Sequence, residues 1–206
     1  MLRYFWLKPR VPASLYQIWS RGFSRRMPHY LMPDHHPPHI YLDNTWYFIT
    51  ASIRDKHHLL RPVGHTDFVR DQLRILTAEF HIQLAAWVIL DNHYHILGKS
   101  HVGRDLSRLF GRLHGRTAFE INGRDGTRGR QVWHNYWDTC IRTEMDYWTR
   151  FNYIHHNPVK HGYVSRMEGW QYSSYCYYCD HEGNDWLMDV FQQYPIVDFT
   201  DPGDDF

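Results

Sequence analysis

The chain has 206 residues, of which 43% are hydrophobic and 17% aromatic, and its formal net charge is +1. This length accommodates one well-buried domain with terminal extensions and is too short for two full domains of ordinary size. A mean hydropathy of −0.62 without a long apolar run excludes a membrane span, and three cysteines are too few for a disulfide framework, so we expect a cytoplasmic protein without a membrane partner.

Charge is distributed unevenly between the two ends of the chain. Residues 1–30 contain six Lys and Arg residues and no acidic residue, whereas residues 180–206 contain eight acidic residues and no Lys or Arg. A clustered basic arm attracts a polyanion locally, even on a nearly neutral protein, although a pair of solvated ends is the plain alternative. Residues 31–40 are rich in Pro and His and predict a connector, so the body begins near Tyr41.

The body opens with two predicted strands separated by a helix. Trp46–Ile53 is β-branched and aromatic, and His81–Leu90 is an apolar run of strand length, which are features typical of sheet strands. Between them, apolar residues recur at helical spacing and Thr66 is a candidate N-cap. The apolar positions of this helix are Phe68, Val69, Leu73, Leu76 and Phe80.

A second helix is predicted from Arg104 to about Ile121, with apolar residues on one side and arginines on another. The arginine ridge consists of Arg104, Arg108, Arg112 and Arg116. Four like charges at this spacing repel one another, and a phosphate backbone would offset that cost. The ridge is therefore a candidate DNA-binding surface, with simple exposure to water as the alternative.

The chain continues with a Gly-rich basic segment, residues 122–130, which predicts a flexible loop able to order on nucleic acid through Arg124, Arg128 and Arg130. Residues 131–142 predict another strand, and Glu144 to about His156 predicts a helix that Pro158 ends. The order of strand, helix, strand, strand, helix, strand and helix predicts an α+β fold with helices on one face of an antiparallel sheet.

Two histidines directly follow the second apolar strand, where residues 91–97 read DNHYHIL. Alternate side chains of a strand share a face, so His93 and His95 point together while Tyr94 points away. Two imidazoles on one face form half of a metal site. Because about one H-x-H is expected by chance in a chain with this histidine content, the pair needs support from elsewhere.

That support comes from residues 151–164, FNYIHHNPVKHGYV, on the last predicted helix. The HYHIL motif followed some 60 residues later by YIHHNPVKHG resembles the REP-associated tyrosine transposases, a branch of the HUH superfamily of single-strand transposases. The segment WQYSSY at residues 170–175 also resembles the end of the domain in this family. The resemblance covers about residues 41–178, leaving a basic arm and connector over residues 1–40 and an acidic tail over residues 179–206.

The resemblance implies a ferredoxin-like HUH domain, an antiparallel sheet with helices packed on it. It also implies that Tyr153 is the nucleophile and that His93, His95 and Asn157 gather Mg²⁺ or Mn²⁺. Independently, Tyr153 and Asn157 are four residues apart, so a helix presents both on one face. Two imidazoles, an amide oxygen and open water positions suit these cations better than structural zinc. Lys160 follows the motif, and contact with phosphate and exposure to solvent are both open for it.

The implied function is cleavage and rejoining of single-stranded DNA near hairpins through a 5'-phosphotyrosine. A domesticated hairpin-binding protein that no longer moves DNA, and another HUH nuclease such as a replication initiator or relaxase, are the alternatives. The chain departs from the commonest family wording at Leu90 and Asp91, which stand where a Met-Pro pair is usual. Both a monomer and a homodimer are compatible with the sequence.

Overall fold

The computed structural model describes residues 41–197 and residue 199. Its strands are β1 (Thr45–Ile53), β2 (Gln83–Ile89), β3 (His93–Ser100) and β4 (Trp133–Cys140). Its helices are α1 (His65–Glu79), α2 (Arg104–Arg124), α3 (Glu144–Lys160), α4 (Tyr175–His181) and α5 (Asn184–Gln193), with 3-10 turns at Arg54–Lys56 and Met167–Gly169. The α+β class and the predicted order of elements through α3 are confirmed.

The four strands form one antiparallel sheet in the order β2-β3-β1-β4. The outer edge of β2 is closed by the segment that precedes α4. The Ser174 N–H donates to the Trp87 carbonyl at 3.0 Å, and the Ile89 N–H donates to the Tyr172 carbonyl at 2.9 Å. The WQYSSY segment thus covers the edge strand beside the two histidines of β3, while β4 forms the opposite edge of the described sheet.

Helices cover both faces of the sheet. Tyr47, Ile49 and Ala51 of β1 pack into one core with α1 and α2, whereas Trp46 and Phe48 pack into a second core with α3, α4 and α5. The expectation of helices on one face is therefore wrong. The reason lies in β1 itself, because WYFITASI carries apolar side chains on both of its faces and each face must be shielded from water.

Two local predictions before β4 are also wrong. Gly64, with a φ of 84°, occupies the N-cap of α1, while Thr66 lies in the first turn and its hydroxyl donates to the Leu60 carbonyl at 2.7 Å. The 122–130 segment is not a free loop, because α2 runs on to Arg124 and the Arg130 Nε donates to Asn122 Oδ1 at 3.0 Å. These contacts fix the chain as it enters β4.

Helix α3 begins at Glu144, after its N-cap Thr143, whose hydroxyl accepts from the Asp146 N–H, and it continues through Pro158 to Lys160. The prediction that Pro158 ends it is wrong. A proline inside a helix costs about 3 kcal/mol, and burial of apolar side chains such as Phe151 and Ile154 offsets that cost. The extra turn determines where the end of the YIHHNPVKHG motif lies.

The proposed boundary between residues 178 and 179 falls inside α4, and α5 packs into the second core. The Asn152 Nδ2 of α3 donates to the Val190 and Tyr194 carbonyls at 3.1 and 2.6 Å. The first half of the acidic segment is thus part of the folded body. The basic arm over residues 1–40 lies outside the described residues, and no helix within the described part of the chain is long and apolar enough to cross a membrane.

Candidate active site

The structure brings His93, His95, Tyr153 and Asn157 together between β3 and α3. The two imidazole rings lie 5.0 Å apart between centroids, and His93 Nε2 lies 3.1 Å from Asn157 Oδ1. The rings of His95 and Tyr153 lie 5.5 Å apart. All four side chains are at most 1% exposed. Side chains that are far apart in sequence therefore share one small volume.

His93 lies between two amide oxygens, Asn92 Oδ1 at 2.7 Å from Nδ1 and Asn157 Oδ1 at 3.1 Å from Nε2. A neutral imidazole has only one N–H and can donate to one of them. When Nδ1 donates to the nearer oxygen, the lone pair of Nε2 faces the lone pairs of Asn157 Oδ1, and a shared cation would relieve that repulsion. Adjacent ligands at about 2.1 Å from an octahedral cation are themselves about 3 Å apart, so the spacing of these two donors fits.

Both histidines are held in the neutral form that binds metals. Burial, together with the neighbouring His95 and His161, lowers the pKa of His93 well below its usual value. Burial also lowers the pKa of His95 to about 3, with smaller contributions from His161 and Lys160. No group of three His, Cys, Asp or Glu side chains among residues 41–197 is arranged to hold a metal, so a site here requires the Asn157 amide oxygen.

The phenol of Tyr153 is contacted by a cation. Lys160 Nζ donates to Tyr153 Oη at 3.0 Å and lies 4.9 Å from the ring centroid. The Tyr153 ring also packs edge-on against Phe48 and Phe199, at 6.1 and 5.3 Å between centroids. Lys160 reaches the phenol because α3 continues past Pro158, which places residues 153, 157 and 160 along one side of the helix.

Two contacts that support the site were not predicted from the sequence. The Thr50 hydroxyl of β1 lies 2.9 Å from His95 Nδ1, which makes Nε2 the nitrogen of that ring that can bind a metal. The Asn92 amide fixes His93 in the same way. The register of β1 against β3 pairs Thr50 with His95, and the sequence carries no signal for this register or for the role of Asn92.

Asp91 holds the turn before His93 in place. Its carboxylate accepts hydrogen bonds from His58 Nδ1 at 2.7 Å, from Arg61 Nε at 3.0 Å and from the Tyr163 hydroxyl. Burial raises the pKa of Asp91, but these hydrogen bonds outweigh it and leave the pKa below its usual value. The residue that departs from the commonest family wording thus connects the β2–β3 turn to the chain after α3.

The arginine ridge lies on α2, in the layer on the other face of the sheet. Arg112 forms an ion pair with Glu79, and Arg108 forms one with Asp105 at 3.3 Å. Arg116 donates to Gln72 Oε1 at 3.3 Å. Arg104 begins α2. The structure thus places the ridge apart from the four converging side chains and gives three of its members partners within the protein.

Arginines of the basic segment after the ridge also form ion pairs and hydrogen bonds within the protein. Arg124 forms an ion pair with Glu120 at 2.9 Å and donates to the Gly64 carbonyl at 3.0 Å. Arg130 forms an ion pair with Asp125 at 2.6 Å, while Arg128 is exposed. Contact of these arginines with DNA stays a prediction.

Two curated proteins are similar to this chain. A REP-associated tyrosine transposase of Escherichia coli (strain K12) is 24% identical over 140 residues, which span 64% of this chain and 76% of that protein. A putative REP-associated tyrosine transposase of Haemophilus influenzae is 28% identical over 144 residues, which span 63% of this chain and 78% of that protein. These similarities confirm the family resemblance predicted from the two motifs.

A solved structure supports the fold. A REP-associated tyrosine transposase bound to a REP hairpin matches with a TM-score of 0.56 at 23% identity, over 85% of this chain and 95% of that chain. No protein-family model matches the chain. The antiparallel sheet with helices packed on it is therefore shared with that structure.

Proposed function

We propose that this chain, a relative of the REP-associated tyrosine transposases, cleaves and rejoins single-stranded DNA near hairpins with Tyr153 as its nucleophile. The observation that carries the proposal is the convergence of two neutral imidazoles and the Asn157 amide oxygen beside a phenol that receives a hydrogen bond from Lys160. Among the described residues, this is where metal-binding donors and a nucleophile meet.

The residues fit a Mg²⁺ or Mn²⁺ ion held by His93, His95 and Asn157, which when bound would polarise the scissile phosphate and offset charge on its nonbridging oxygens. Tyr153 Oη forms a bond to phosphorus while the bond from phosphorus to the 3'-oxygen breaks. The phenol loses its proton and the departing 3'-oxygen gains one, which leaves a 5'-phosphotyrosine. Lys160 orients Oη for this attack and offsets negative charge that develops on it.

The covalent link preserves the phosphodiester bond for rejoining. A phenol has a pKa of about 10 and therefore leaves phosphorus more readily than an alkanol. The 3'-hydroxyl of a second strand can displace Tyr153 without ATP. The hairpin enters this proposal from the solved relative, which is bound to a REP hairpin.

Hairpin binding without cleavage is the competing function, and one observation favours it. Tyr153 is 1% exposed, and the Phe199 ring packs against it, so a DNA phosphate reaches Oη only after local rearrangement. Under this alternative the histidines and the amide stabilise the fold, and the chain binds DNA without forming a covalent bond to it.

The two functions are separated by trapping the intermediate. The protein is incubated with Mn²⁺ and a labelled hairpin oligonucleotide carrying single-stranded flanks, and a denaturing gel is examined for a covalent adduct. We expect the wild-type protein to form an adduct. The Tyr153→Phe variant should form none while it still binds the hairpin, and the control variant Tyr177→Phe on α4 should form the adduct as the wild type does. An unchanged adduct in Tyr153→Phe would assign another nucleophile, and binding without an adduct on any hairpin would favour the binding-only function.

A further inference from the structure

An aromatic pair on β4 lies on the same face of the sheet as the candidate active site. Thr50 of β1 pairs with His95 on one side and with Trp137 on the other. Directly paired residues of an antiparallel sheet point to the same face, so His95, Thr50 and Trp137 form one row across three strands. Two strand spacings of about 4.8 Å place Trp137 about 10 Å from His95.

The Trp137 indole forms a stacked pair with the imidazole of His134. The His134 imidazole stacks on the indole with 5.6 Å between centroids and 13° between planes. His134 is exposed, whereas Trp137 is partly buried. The pair therefore has a partly buried ring in the row with Thr50 and a second, exposed ring parallel to it.

An ion pair of Arg54 with Asp55 lies beside the start of β4. The Arg54 backbone N–H donates to the Val132 carbonyl at 2.8 Å, which holds residue 54 beside the start of β4. The Arg54 side chain is 46% exposed and donates to Gln131 Oε1 at 3.1 Å, with Asp55 as its ion-pair partner. A guanidinium at this position is suited to a phosphate that enters from the edge of the sheet.

We propose that His134 and Trp137 form a stacking subsite for an unpaired nucleobase of the DNA strand whose phosphate reacts at Tyr153. This inference rests on the proposed function. A flat, partly exposed aromatic stack is an arrangement with which proteins hold single-stranded DNA, because every base offers a π-face regardless of sequence. The position of the subsite in the row through Thr50 and His95 assigns it a base close to the reacting phosphate.

The test compares binding of two DNA ligands, a hairpin with single-stranded flanks and the same hairpin without them. His134→Ala should weaken binding of the flanked hairpin about 5- to 100-fold, as removal of one base-stacking interaction does, and leave the unflanked hairpin unaffected. His134→Phe, which keeps a flat ring, should restore most of the affinity. Trp137→Phe should have a smaller effect than Trp137→Ala.

A matched control is available on α4, where the exposed His181 stacks on Tyr177 with 4.0 Å between ring centroids and 19° between planes. His181→Ala removes the same kind of stacking and should leave both affinities unchanged. An abasic scan of the flanks should identify one position that weakens the wild-type protein and has no further effect on His134→Ala.

The subsite and the proposed function fail in different ways. Unchanged flank affinity in His134→Ala, or an equal loss on both hairpins, overturns the subsite while the Tyr153 adduct of the wild-type protein still forms. Absence of any Tyr153 adduct on flanked hairpins overturns the function on which the subsite depends. Thermal unfolding of each variant confirms that a change in affinity comes from a folded protein.

Discussion

The two faces of the sheet are both packed with apolar side chains, yet they differ in how their buried polar groups are used. On the α1–α2 face, Thr117 donates to the Leu113 carbonyl and accepts from the Trp133 indole N–H at 2.9 Å, so its hydroxyl is satisfied within the fold. On the α3 face, His93 and Asn157 point their polar atoms at each other. Both faces therefore pair their buried polar groups, but on the α3 face the paired groups are metal-binding donors that lie beside the Tyr153 phenol.

The faces also differ in where their cations lie. The arginines of α2 project from the outer surface of a helix and pair with acidic side chains such as Glu79. On the other face, Lys160 contacts the Tyr153 phenol oxygen. A regular pattern of charge and a convergence of donors are therefore separate features, and the proposed chemistry rests on the second.

The largest expected effect tests whether the α3 face holds a metal. The double substitution His93→Ala with His95→Ala removes two of the three proposed ligands, so Mn²⁺ binding and the DNA adduct should both disappear. Titration calorimetry with Mn²⁺ measures the first and a denaturing gel the second. His101→Ala, at an exposed histidine bonded to Asn44, should change neither, and unchanged Mn²⁺ affinity in the double variant would remove the metal from this face.

A smaller effect on the same face tests the support of His95. Thr50→Val keeps the shape of the side chain and removes the hydroxyl 2.9 Å from His95 Nδ1. Removal of such an orienting hydrogen bond typically lowers metal affinity about 10- to 100-fold. Thr139→Val, on β4 opposite Phe48, is the matched control. Equal Mn²⁺ affinities for the wild type and both variants would show that Thr50 does not orient the ligand.

On the α1–α2 face, the partly buried His114 should affect stability rather than chemistry. Burial lowers its pKa to about 3, below the value of about 6.5 that it has in the unfolded chain. Protonation therefore favours unfolding, and the free energy of unfolding falls as the pH decreases from about 6.5 towards 3, by at most about 1.4 kcal/mol per pH unit for one group.

Urea unfolding at a series of pH values measures this slope. In His114→Gln, the dependence of the unfolding free energy on pH should become weaker by an amount that corresponds to at most one proton. His81→Gln, at an exposed position, is the control and should leave this dependence unchanged. A slope that is identical in all three proteins would mean that His114 does not titrate differently on folding.

The smallest expected effect concerns the arginine ridge. Arg108→Ala with Arg112→Ala should weaken hairpin binding and reduce the slope of log affinity against log salt by about 0.9 for each phosphate that the variant no longer neutralises. The ion pairs with Asp105 and Glu79 compete with phosphate, which keeps the effect small. Arg74→Ala on α1 is the control, and an unaltered salt slope in the double variant would exclude the ridge from the interface.

Much of the fold was predictable because its patterns are local. Helical spacing located α1 and α2, and runs of apolar, β-branched and aromatic residues located β1 and β2. The end of α3 was not predictable, because the cost of Pro158 is local while the packing that offsets it is tertiary. The N-cap of α1 was missed for a similar reason, since the Thr66 hydroxyl is used by the distant Leu60 carbonyl.

Only those residues of the candidate site that lie within a recognisable motif were predictable from the sequence. His93, His95, Tyr153 and Asn157 stand in two recognisable motifs, and the structure brings them together. Thr50 and Trp137 join them through strand register, which no single segment of sequence encodes. The position of Lys160 depends on the extra turn of α3 and therefore followed from the structure alone.

The central claim is that a phosphate reacts with the phenol that lies beside His95. The most direct measurement is mass-spectrometric mapping of the covalent protein–DNA adduct formed with Mn²⁺ and a flanked hairpin, after digestion of the protein to peptides. We expect the nucleotide to be attached to Tyr153 in the peptide containing YIHHNPVK. Attachment at any other residue, with Tyr153 unmodified, would contradict it.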